Sequence, residues 1–68
     1  MPFAQIYMVE GRSDTQKSEV ISKVSDAIAE ATGSPLDTIR VFIQEIPGEN
    51  WGKGGVPKKL PMVDAESI

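Results

Sequence analysis

Ser13-Asp14-Thr15-Gln16-Lys17-Ser18-Glu19-Val20-Ile21-Ser22-Lys23-Val24-Ser25-Asp26-Ala27-Ile28-Ala29-Glu30-Ala31-Thr32-Gly33 lies between two apolar segments, and its reading decides the fold. Ser13 through Gln16 fit a capping box, with Ser13 as N-cap and Gln16 at N3. Asp14 suits the positive end of the helix dipole. Val20, Ile21, Val24, Ala27, Ile28 and Ala31 recur with the period of one helical face. Gly33 is the natural stop. The spacing predicts a helix over 14–32, about 28 Å long at about 1.5 Å per residue.

On either side the pattern changes to strand. Residues 2–9, Pro-Phe-Ala-Gln-Ile-Tyr-Met-Val, are rich in aromatic and β-branched types. Phe3, Gln5, Tyr7 and Val9 share one face, and Ala4, Ile6 and Met8 the other. Two largely apolar faces predict a strand covered on both sides. Glu10-Gly11-Arg12 turns the chain. After the helix, Ser34-Pro35 reads as an N-cap and N1 pair opening a single turn through Leu36-Asp37. Residues 38–46 form the second strand, with Ile39, Val41 and Ile43 opposed to Arg40, Phe42 and Gln44. Strand, helix and strand make a βαβ unit of the α/β class, with parallel strands and a right-handed crossover. Beyond Pro47 the reading is turns, a short hairpin near Trp51–Lys58, and a tail past Leu60 that a partner must order.

A two-stranded sheet is not stable alone, and its open edges invite another chain. The sequence has 68 residues and no cysteine or histidine, which fits one small domain without disulfides or imidazole metal ligands. Oligomerisation is the remaining way to complete a core, through a symmetric dimer that extends the sheet and a higher assembly that covers its open face.

The charge balance of seven Lys+Arg against ten Asp+Glu argues against nucleic acid as a partner. Lys58-Lys59, the one basic doublet, reads as a solvated loop. No apolar run approaches a membrane span. The start of the chain lacks signal-peptide character, and missing cysteine is compatible with the cytoplasm. Gly52-Lys53-Gly54-Gly55 lacks the Ser or Thr and the spacing of a phosphate loop. Glu10 and Glu45 read as strand-end surface charges rather than an acid/base pair.

Three features carry chemistry. Pro2 follows Met1, and a small second residue favours removal of the initiator methionine. The exposed nitrogen would be a secondary amine, and an α-amino group titrates near about 7.7–8.0. Desolvation and nearby cations lower that value, so the terminus can serve as a general base where histidine is absent. The two arginines in the chain come next. Arg40 lies between apolar strand neighbours and needs a carboxylate partner, from protein or ligand. Arg12 precedes a helix N-cap, where backbone N–H groups favour anions. Last is Trp51, the lone tryptophan, which suits core, an interface or an apolar wall over a ligand.

Taken in order, Met1-Pro2, Ala4-Gln5-Ile6, Glu10-Gly11-Arg12-Ser13-Asp14, Gln16-Lys17, Val24-Ser25-Asp26-Ala27-Ile28, Arg40-Val41 and Trp51-Gly52-Lys53-Gly54-Gly55 resemble the 4-oxalocrotonate tautomerase family. The likeness covers residues 1 to about 56 of a single domain spanning 1–68 and stops at the tail, 57–68. It implies a βαβ protomer, dimers with a four-stranded sheet, and a hexamer built as a trimer of dimers. Pro2 corresponds to the catalytic base. Arg12 corresponds to the arginine that holds the distal carboxylate of the substrate, and Arg40 to the one a neighbouring subunit supplies at the other end. Trp51 stands where the family has phenylalanine.

The implied activity is that of an isomerase in aromatic hydrocarbon catabolism. It converts a small unsaturated dicarboxylate or oxo acid, such as 2-hydroxymuconate, without metal or organic cofactor. Two alternatives remain open: hydration or dehalogenation, using a carboxylate near Asn50 and Trp51 such as Glu49, and non-catalytic binding of an acidic ligand by the two arginines.

Overall fold

The computed structural model describes residues 1–59. Strand β1 (Phe3–Val9) is followed by helix α1 (Asp14–Thr32) and strand β2 (Arg40–Ile46). A short hairpin of β3 (Gly52–Lys53) and β4 (Val56–Pro57) completes the described chain. The expected tail beyond Leu60 lies outside the described residues.

α1 begins and ends where its sequence signals stand. The Gln16 backbone N–H donates to Ser13 Oγ at 3.1 Å, and the Ser13 N–H donates to Gln16 Oε1 at 3.0 Å, so both halves of the capping box are made. Gly33 takes the left-handed conformation (φ 73°), and its N–H closes the helix on the Ala29 carbonyl. Truncating Ser13 to alanine removes one of these bonds. The expected result is a loss of about 1 kcal/mol, read by urea denaturation at fixed protomer concentration.

β1 and β2 pair in parallel, with Phe3 opposite Arg40, Ile6 opposite Ile43 and Val9 opposite Ile46. α1 packs chiefly against β2, on the face of the pair that carries Ala4, Ile6, Met8, Val41 and Ile43, all half-buried. Its inward row is Lys17, Val20, Val24 and Ile28, whereas Ala27 and Ala31 on the flank of the predicted stripe stay exposed. Lys17 crosses to the sheet and donates to Glu45 Oε1 at 2.9 Å. The hydrogen bond to Glu45 leads the causes that hold Lys17 above its usual pKa.

Two boundaries differ from expectation. The turn after α1 covers Leu36–Thr38 as 3-10 helix with Pro35 at its N-cap rather than at N1. The Thr38 N–H and Oγ1 both donate to the Pro35 carbonyl, at 3.0 and 2.7 Å, and the Ile39 N–H donates to Leu36. Those donors are spent in the turn, so β2 starts at Arg40 instead of residue 38. Ser34 does not cap this turn; its hydroxyl meets Thr32 Oγ1 at 3.0 Å.

The opposite face of the sheet is open in the protomer. Phe3, Tyr7 and Phe42 are 65, 57 and 52% exposed. Phe3 and Phe42 meet edge-to-face at 6.1 Å, and Gln5 donates to Gln44 at 3.2 Å between the strands. Among the described residues Ile39 is the one buried apolar side chain. One helix thus covers one face, and the second covering predicted for β1 is not supplied within the chain.

Past β2, a 3-10 turn over Gly48–Asn50 leads into the hairpin. Gly54 and Gly55 both have positive φ (62° and 83°), which closes Lys53 onto Val56 as a type I′ turn. The Gly-rich stretch is therefore a defined turn. The Lys58 N–H donates to the Trp51 carbonyl at 2.7 Å and the Lys59 N–H to Gly48 at 3.1 Å, pinning the hairpin to the turn before it.

Candidate active site

Pro2 and Arg40 stand together at the start of the two parallel strands. The Pro2 carbonyl accepts the Arg40 backbone N–H at 3.2 Å. Pro2 is half-buried and Met1 is 84% exposed, so losing Met1 takes little buried surface with it. While Met1 is attached, the Pro2 nitrogen is an amide without basicity; only its removal creates a secondary amine.

Arg40 uses one of its five N–H donors on the Asp37 carbonyl, at 3.0 Å. The 3-10 turn before β2 therefore aims this guanidinium, a contact that the apolar strand pattern did not reveal. Ion pairs among the described residues join Lys17 to Asp14 and Glu45, and Lys23 to Glu19. Neither arginine takes part, so the structural ion pairs that would account for Arg12 and Arg40 without a ligand are not formed among these residues.

Arg12 stands at the other end of β1. The seven residues of β1 at about 3.3 Å each set the ends of the strand about 23 Å apart, with Pro2 before one end and Arg12 past the turn at the other. It lines a small cleft of about 190 Å³ with Val9, Glu10, Gly11 and Lys58. Along α1 it borders a groove of about 470 Å³ that includes Gln16, Val20 and Val24. Two backbone donors expected to favour an anion beside Arg12 are already used, because the capping box consumes the N–H groups of Ser13 and Gln16.

Trp51 is half-buried and lines a cleft of about 360 Å³ with Lys53, Val56 and Lys58. Within one chain the four site residues therefore fall into two halves. Pro2 and Arg40 occupy one end of the sheet. Arg12 and Trp51 occupy clefts that share Lys58. Lys58 was read as loop charge; a doublet of lysines carries no signal of where the hairpin will return it. Glu45 is committed to Lys17, and Glu49 is exposed and does not line the Trp51 cleft.

The model of the tautomerase enzyme family matches residues 2–60, a few residues beyond the resemblance read from the motifs. A 2-hydroxymuconate tautomerase of Pseudomonas putida is 63% identical over 59 residues, 87% of this chain and 94% of that protein. One from Comamonas testosteroni is 58% identical over the same shares. Among solved structures, a 4-oxalocrotonate tautomerase isozyme from Methylibium petroleiphilum aligns with a TM-score of 0.82 and 54% identity, covering 84% of this chain and 92% of its own. A heterohexameric 4-oxalocrotonate tautomerase from Chloroflexus aurantiacus gives 0.83 and 41%, over 85% and 94%. The parallel βαβ unit and these likenesses together place the chain in the tautomerase family, among the 4-oxalocrotonate tautomerases, which makes it an isomerase.

Proposed function

We propose that this tautomerase ketonises a dienol dicarboxylate such as 2-hydroxymuconate, with the Pro2 nitrogen as general base once Met1 is removed, and without metal or organic cofactor. The observation that carries the reading is Pro2 at the start of β1, half-buried behind an exposed Met1, with neither arginine ion-paired among the described residues.

The proton balance is simple. The Pro2 nitrogen takes the enol hydroxyl proton as the C–O bond becomes a carbonyl. The double bonds shift along the chain, and the same nitrogen returns the proton to the distal carbon, giving the conjugated oxo acid. Arg40 of a neighbouring subunit neutralises charge at the carboxylate and developing carbonyl, and Arg12 holds the far carboxylate. Trp51 supplies an apolar wall beside the substrate.

Pro2 and Arg12 of one chain are too far apart to grip the same six-carbon acid, so the site is shared between copies. A two-fold pairing runs two copies of a strand antiparallel and sets the start of one beside the end of the other. That brings Arg12 of a second copy toward Pro2. The open edges and the exposed Phe3, Tyr7 and Phe42 support a sheet-extending dimer and a hexamer that is a trimer of such dimers. Cytoplasmic work in aromatic hydrocarbon catabolism fits this substrate class. No described helix is long and apolar enough to cross a membrane. Hydration or dehalogenation has less support, because Glu49 does not line the Trp51 cleft.

Arg12→Ala tests the division of labour. Turnover of the dicarboxylate is expected to fall about tenfold or more, one lost charge-assisted bond being worth about 1.5–3 kcal/mol. A monocarboxylate enol lacking the distal acid loses little. Equal losses on both substrates contradict the role given to Arg12.

A further inference from the structure

Lys58 is the one residue that lines both the Arg12 cleft and the Trp51 cleft. Its backbone is fixed: the N–H donates to the Trp51 carbonyl at 2.7 Å, the preceding Pro57 belongs to β4, and the next N–H is bound to Gly48. The Cα therefore holds a set position relative to Trp51, while the ammonium makes no ion pair among the described residues. On its other side, Arg12 shares its cleft with Glu10, whose carboxylate offsets one positive charge. The capping box has also withdrawn two backbone donors from an incoming anion. A carboxylate bound there needs a second cation, and the hairpin delivers one.

We propose that Lys58 is a substrate-binding, specificity-determining residue that acts with Arg12 on the distal carboxylate and sets the preference for dicarboxylates over monocarboxylates. This rests on the functional reading above. A flexible ammonium beside a planar guanidinium lets two carboxylate oxygens be met by two cations, with Trp51 packed against the carbon chain between them. Neighbouring Lys59 lines neither cleft and serves as the matched control.

The test uses the intact oligomer and two readouts. Trp51, the single tryptophan, reports binding by its fluorescence, titrated with trans,trans-muconate, a dicarboxylate that lacks the enol and cannot turn over. Ultraviolet absorbance reports ketonisation of 2-hydroxymuconate and of a monocarboxylate enol. Lys58→Gln is expected to weaken muconate binding and raise KM for the dicarboxylate about tenfold, leaving kcat and the monocarboxylate unchanged. Lys58→Arg restores most of the affinity, and Lys59→Gln changes neither readout. Wild-type affinity in Lys58→Gln, or an equal loss in Lys59→Gln, overturns the proposal. Binding without turnover in the wild type would instead sink the proton-transfer reading while leaving the role of Lys58 standing.

Discussion

Replacing Pro2 with alanine is expected to lower kcat for ketonisation by about 10²–10⁴-fold, the usual worth of a positioned general base, without changing the size of the oligomer. The substitution reaches the chemistry and little else. Pro2 serves the sheet through a carbonyl bound to the Arg40 N–H, which alanine keeps. What is lost is a ring that fixes the nitrogen in one direction and makes it a secondary amine. The alanine variant still carries a terminal amine, so residual activity is expected, and its size measures how much of the rate depends on the ring. The decline in dienol absorbance gives the rate, and sedimentation gives the assembly. Near-normal activity in this variant would show that the rate does not depend on the proline ring.

The second large effect belongs to the open face of the sheet. Phe42→Glu is expected to break the proposed hexamer into dimers or monomers and to abolish activity with it. Phe42 is 52% exposed in the protomer and packs edge-to-face on Phe3, with Tyr7 on the same face. Burying such a ring against another copy is worth about 1.5–3 kcal/mol per chain, multiplied over every copy in the assembly. A carboxylate placed there must be desolvated when the face is covered or draw Arg40, on the same strand face, away from its proposed role. A protomer with Ile39 as its one buried apolar side chain among the described residues is poorly equipped to stay folded alone. Far-ultraviolet circular dichroism should therefore weaken on dilution, together with the fall in mass by sedimentation. An intact hexamer of normal stability would show that this face is not the interface.

The helix was legible to the residue, because caps are local chemistry: Ser13, Gln16 and Gly33 make their bonds within a turn of themselves. The strand start at Arg40 was less so. It depends on Thr38 and Ile39 spending their donors on Pro35 and Leu36, a competition that apolar alternation does not display. The β1 faces were read correctly from their period, yet the inference that both are covered is met by the chain itself on one side only. Pro2, Arg12, Arg40 and Trp51 stood out by their scarcity and position. Their division into two halves was hidden, because it follows from a parallel ladder that separates the ends of β1 by about 23 Å. Lys58 was illegible for a related reason: its place beside Arg12 is set by the type I′ turn at Gly54-Gly55, far from it in character if not in sequence.

Everything rests on a free nitrogen at Pro2. The most direct measurement is the intact mass of the active protein as made in its own cell, taken alongside its turnover. The expected mass is one methionine residue below that of the encoded chain, with activity confined to the processed form. Full activity in protein that retains Met1 would contradict the account, since an amide nitrogen has no basic lone pair with which to take up and return the proton.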